Sequence, residues 1–112
     1  MGRSRWLSIG CALLLGAALA SVAKAASEAD IKRMDNMALL LGRGAACDLD
    51  TKRATGVIGA WLDETFPPGS FDRELYLPRF TRHVRRYAEE QLGGLSRDSC
   101  ADIAEAFRTM RW

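Results

Sequence analysis

The stretch TKRATGVIGAWLDETFPPG, residues 51–69, decides the fold class. Ala54, Val57, Ile58, Trp61 and Leu62 recur at spacings of three and four, and Phe66 extends the row. That period marks one face of an amphipathic helix. Asp50 or Thr51 supplies the cap before the first turn. Pro67-Pro68-Gly69 ends the helix, because a residue before Pro is driven out of the helical region and Pro-Gly favours a tight turn. Trp61, flanked on its stripe by Val57, Ile58 and Leu62, is expected to be buried.

The same period extends in both directions. Upstream, Ser27 is a good N-cap, with Glu28 and Asp30 placed where negative charge suits the helix dipole. Ile31, Met34, Ala38 and Leu41 form the apolar face, and Gly42 and Gly44 weaken the helix end, which is expected to fade between Gly42 and Cys47. Downstream, Ser70 to Leu77 reads as a loop or short turn, with Phe71, Leu75 and Leu77 tucked under the fold. Pro78 then suits the first position of a third helix. Phe80, Val84, Tyr87, Ala88 and Leu92 follow at helical spacing, and Gly93-Gly94 ends the segment. A fourth helix is expected from Ser96 as cap, with Cys100, Ile103, Ala104, Phe107 and Met110 on its apolar side. Trp112 closes the chain. No sustained alternation and no Asn-Gly or Asp-Gly hairpin argues for strands. The expected fold is all-α, a small irregular bundle of about four helices.

The N-terminal 25 residues have a different composition. Arg3 and Arg5 precede an uncharged run from Leu7 to Val22, and Ala23-Lys24-Ala25 fits a cleavage site for a secretory signal peptide. The run is about 16 residues, rich in Ala and Gly, whereas a spanning helix wants roughly 20 strongly apolar residues. Residues 1–25 are therefore read as a signal peptide cleaved after Ala25, and residues 26–112 as one helical domain, periplasmic or secreted. Cys11 leaves with the leader. Cleavage takes three of the 16 Lys and Arg and none of the 14 Asp and Glu, so the net charge passes from +2 to −1. A near-neutral domain makes no case for nucleic acid as a partner, and nothing in it spans a membrane.

Cys47 and Cys100 are the thiols that remain. In an oxidising compartment two leftover cysteines in a small domain usually pair. Such a bond would tie the first helix to the last, and chain entropy values the loop at roughly 4 kcal/mol. There is no C-x-x-C for redox work and no C-x-x-C-H for haem, and a single His leaves zinc without ligands. No cofactor or metal is expected.

Candidate chemistry is sparse. His83 has no carboxylate nearby in sequence to hold its second ring nitrogen, so it reads as an ordinary helix-surface residue. The acid pairs Asp63-Glu64 and Glu89-Glu90 are neighbours on a helix and point apart, so neither frames a cleft. Asp48 and Asp50 begin an alternation seen in calcium loops, but the Gly and closing Glu of that pattern are missing. No catalytic constellation emerges, and an enzyme is not expected.

One charged surface stands out. Arg79, Arg82 and Arg86 are spaced three and four apart, with His83 at the border of their face and Phe80, Val84, Tyr87 and Ala88 roughly opposite. Guanidinium forks suit phosphate and carboxylate. An anionic lipid headgroup or an acidic patch on an envelope protein is the kind of partner this face would take. The expected function is that of an exported, non-enzymatic interaction protein: an adaptor, inhibitor or accessory subunit. The layout of leader, small helical domain and one long disulfide also resembles that of the periplasmic acid-stress chaperones, and of small helical immunity and inhibitor proteins. Ala45-Ala46 stand before Cys47 where those chaperones carry Trp-x-Cys, so no functional residue is carried across. The alternative function that resemblance implies is acid-stress chaperoning.

Overall fold

A computed structural model describes residues 26–110. Residues 1–25, which include the expected leader and Cys11, and Trp112 lie outside the described residues. Four helices follow one another: α1 Glu28–Ala46, α2 Lys52–Thr65, α3 Phe71–Leu92 and α4 Cys100–Thr109. Each start has a local cause. Ser27 Oγ accepts from Asp30 N at 3.1 Å, and Asp30 Oδ2 accepts from Ser27 N at 3.3 Å, a reciprocal box that satisfies two amides at the start of α1. Asp50 Oδ1 accepts from Lys52 N at 3.0 Å ahead of α2. Ser99 and Asp102 repeat the box at α4.

Two helix starts differ from the sequence expectation. Residues Ser70 to Leu77 are neither loop nor short turn: α3 begins at Phe71 and runs through Pro78. The Ser70 hydroxyl accepts from Arg73 N at 3.2 Å, and Asp72 and Glu74 sit in the first turn. The cap and first turn hold the helix on the N-terminal side of the proline, whose missing N–H forfeits one interior bond. Pro78 itself is exposed. The fourth helix is capped by Ser99 instead of Ser96. Ser96 Oγ accepts from Asp98 N at 3.1 Å and serves the preceding loop.

α1 is the central element. α3 lies along it most extensively, and α4 and α2 pack on it as well. The core joins Met34, Met37 and Ala38 of α1 to Ala54, Ile58 and Leu62 of α2, with Phe66 and with Phe80 of α3. Phe66 is the hub of the aromatic part. Trp61 meets it edge-on at a centroid distance of 5.9 Å, and Tyr76 lies against it at 5.6 Å. Trp61 is half-buried, not fully buried. Ile58, Leu62 and Phe66 take the deepest row, which rotates Trp61 to the border, where the Arg33 guanidinium covers its ring at 5.3 Å.

The glycines near the end of α1 are packing residues. α1 continues to Ala46, and Gly42 and Gly44 are buried. A Cβ on Gly42 would stand 2.3 Å from the Val84 carbonyl oxygen, and one on Gly44 would fall 2.4 Å from the Phe107 ring. The two glycines let α3 and the Phe107 side chain of α4 lie directly on the α1 backbone. Just beyond, Cys47 and Cys100 stand at disulfide distance, Cα atoms 5.4 Å apart. Cys100 opens α4 and is exposed, so the expectation that it lines the apolar face does not hold; Ile103, one turn on, is the residue that is buried.

Candidate functional site

α3 carries three kinds of surface. Its inner side brings Phe80 into the core, with Tyr76, Val84 and Tyr87 packed against the core cluster. Its border carries Arg79 and His83, both partly buried. Its outer side presents Phe71, Leu75, Pro78, Arg82, Arg85, Arg86 and Glu89, all exposed. At 100° per residue these seven fall within one sector of the helix.

The border is a polar seam between helices. Arg79 Nη2 donates to Asp35 Oδ2 at 2.9 Å, and His83 Nδ1 lies 3.1 Å from Asp35 Oδ1. One carboxylate of α1 thus holds two residues one turn apart on α3. The sequence expectation for His83 is corrected here, since a partner does hold a ring nitrogen. It comes from another helix, 48 residues earlier. Arg43 continues the seam: its Nη1 donates to Asp98 at 2.6 Å, and its guanidinium faces the Tyr87 ring at 5.5 Å. Arg86 covers the same ring at 5.2 Å, and His83 meets it edge-on at 6.2 Å. Tyr87 is therefore flanked by cations from α1 and from α3 itself.

A histidine and a carboxylate make two parts of a nucleophile-activating triad. No serine, threonine or cysteine bonds to His83 among the described residues, and Cys47 and Cys100 are paired with each other. The Asp35–His83–Arg79 group instead braces α1 to α3. Among the described residues no group of three or more His, Cys, Asp or Glu could hold a metal ion.

The structure therefore divides the residues that the sequence groups together. Arg79 and His83 turn into the seam and leave the outer face. Arg82 stays exposed, and Arg86 stays more than half exposed, with a long 3.9 Å contact to Glu90 beside its stacking on Tyr87. Arg85, outside the three- and four-residue spacing, joins them. The row also has an apolar half that sequence reading misses. Phe71 is 77% exposed and Leu75 52% exposed, four residues apart on the same side. Once α3 is known to begin at Phe71, the i, i+4, i+7 series Phe71, Leu75, Pro78 follows from helix geometry. From Phe71 to Arg86 the face spans about 22 Å at 1.5 Å per residue.

No helix among the described residues is long and apolar enough to cross a membrane. Compared with protein-family models, with curated proteins and with solved structures, the chain matches none.

Proposed function

We propose that this is an exported interaction protein without catalytic activity, an adaptor, inhibitor or accessory subunit that docks through the outer face of α3. One observation carries the reading: exposed Phe71 and Leu75 run directly into exposed Arg82, Arg85 and Arg86 on one rigid helix. Large apolar side chains left in water cost free energy, and clusters of them mark contact sites. Aromatic and Arg side chains are the residue types that most often anchor protein interfaces. The partner that fits is an envelope protein whose surface places an apolar cleft beside an acidic patch. The arginines speed encounter and set orientation, and Phe71 and Leu75 supply the desolvated anchor.

The interior of the domain supports the same reading. The Asp35 seam holds α3 on α1, so the face is presented ready-made and little ordering is lost on binding.

Site-specific photocrosslinking in intact cells tests the proposal. Crosslinkers at Leu75 and at Glu89 should give one adduct of common mass, lost when Arg82, Arg85 and Arg86 are changed to Gln, while a crosslinker at Thr55 on α2 gives none. Adducts of equal yield from all three positions would overturn it. So would sedimentation with anionic phospholipid vesicles that depends on the same residues without any protein adduct, since the occupant would then be lipid.

The second reading, an acid-stress chaperone, has its own observation. The bridges from Arg79, Arg73 and Arg43 all end on carboxylates, Asp35, Asp63 and Asp98. Loss of those ties is where an acid-opened form would begin. Suppression of client aggregation at low pH, absent at neutral pH, is the outcome that favours it.

A further inference from the structure

The backbone nitrogen of Ala26 lies 2.9 Å from Asp72 Oδ2. Asp72 is in the first turn of α3, 46 residues further along the chain. Ala26 itself is partly buried against the core, one residue before the Ser27 cap of α1. In the precursor that nitrogen is a neutral peptide amide. If the leader is removed after Ala25, the same atom becomes the α-amino group of the mature chain, an ammonium with three donors. We propose that the Asp72 carboxylate is the receiving site for the new N-terminus, so that cleavage of the Ala25–Ala26 bond creates an ion pair joining the starts of α1 and α3.

The chemistry of the site favours the ammonium. Helix N-termini carry partial positive charge, and the beginnings of two helices meet here, so an added cation is tolerated only beside a carboxylate. Asp72 supplies one at hydrogen-bond distance. Glu28 and Asp30 of α1 and Glu74 of α3 add negative charge to the same two first turns. Arg73, the cation beside Asp72 in sequence, is engaged elsewhere: its Nη1 donates to Asp63 and to the Phe66 carbonyl. The amide already donates to an ionised carboxylate, and hydrolysis of one peptide bond adds a full positive charge to the donor, which turns a contact already in place into an ion pair. No new geometry is required. The water consumed in cleavage leaves its oxygen on the Ala25 carboxylate, which departs with the leader, and the Ala26 nitrogen gains its protons.

The proposal also specifies the cleavage bond. A cut one residue earlier leaves an amide at Ala26 and carries the charge past Asp72. A cut one residue later removes the nitrogen that Asp72 holds.

The test uses processed protein recovered from the exported fraction, with its first residue identified by N-terminal sequencing. Four forms are compared: wild type, Asp72→Asn, a precursor with one Gly inserted between Ala25 and Ala26, and both changes together. The Gly insert moves the ammonium outward and restores an amide at Ala26. Asp72→Asn should lower the melting temperature of the wild-type form by roughly 3–6 °C, a shift in line with a partly exposed ion pair in a small domain. In the Gly-extended form the same substitution should shift it much less. Equal shifts in both backgrounds would overturn the proposal, because Asp72 would then be only an acceptor for the Ala26 amide and a helix-start acid. Recovery of a mature chain beginning anywhere other than Ala26 would overturn it as well.

Discussion

Gly42 of α1 and Val84 of α3 meet backbone to backbone: a Cβ on Gly42 would stand 2.3 Å from the Val84 carbonyl oxygen, and 3.0 Å from Tyr87 Cβ. A carbonyl cannot rotate aside as a flexible side chain can. The contact therefore sets how closely α1 and α3 approach, and with it the position of Asp35 relative to Arg79 and His83.

The first prediction contrasts glycines. Ala is favoured over Gly in a helix interior by about 1 kcal/mol. Gly42→Ala should nevertheless destabilise the domain by about 2 kcal/mol or more, because overpacking outweighs propensity. Gly56→Ala on α2, where a Cβ meets nothing within 4 Å, should instead stabilise by about 0.5–1 kcal/mol. Urea midpoints of the two variants should move in opposite directions. A shared direction would show that propensity or packing alone governs both sites.

That contrast bears on what the sequence can reveal. The stripe of α2 and the cap of α1 at Ser27 are legible because they depend on neighbours within a turn. The pairing of Cys47 with Cys100 is legible because they are the two cysteines outside the leader-like first 25 residues. Gly42 and Gly44 look like helix breakers in sequence, since only the neighbouring helix turns their missing side chains into an advantage. His83 lacks a local acid for the same reason: Asp35 reaches it from α1. Pro78 is the most misleading residue. It suits a helix start, yet the Ser70 cap and the Tyr76–Phe66 contact carry α3 back to Phe71. The apolar half of the candidate site is hidden by that misplaced start.

A second prediction separates seam from surface. Arg79→Gln removes a bridge to Asp35 that also orients His83, whereas Arg82→Gln changes a solvated side chain. The first should cost about 1–2 kcal/mol, a value held down by the partial exposure of both partners, and the second less than about 0.5 kcal/mol. Asp35→Ala should cost at least as much as Arg79→Gln, because it leaves two α3 residues without their acceptor. Thermal unfolding of the three variants checks the order.

The third prediction concerns the crosslink. Cys100→Ser opens the tie between the end of α1 and the start of α4. It should cost about 3–4 kcal/mol by the loop-entropy argument, a large share of the stability of a domain this small. α4, held otherwise by Ile103 and by Phe107 on Gly44, should lose amide protection before the rest of the domain. Uniform loss of protection along the whole chain would show instead that α4 is as firmly held without the bond.

The fourth prediction addresses Trp61. Half-buried at the core border, it should tolerate truncation better than Phe66, which is 2% exposed and touches both Trp61 and Tyr76. Phe66→Ala should cost roughly 3–5 kcal/mol and Trp61→Ala clearly less. Equal losses would place Trp61 inside the core.

The central claim is that the outer face of α3 is a docking surface, and its most direct measurement is the affinity of the protein for whatever partner is crosslinked at Leu75. The account predicts that Arg82→Gln, Arg85→Gln and Arg86→Gln together weaken binding at least tenfold at low salt, with melting temperature nearly unchanged and with a shallower salt dependence than wild type. Phe71→Ala with Leu75→Ala should weaken it at least as much at every salt concentration. Unaltered affinity in both variants, at low and at high salt, would contradict the claim.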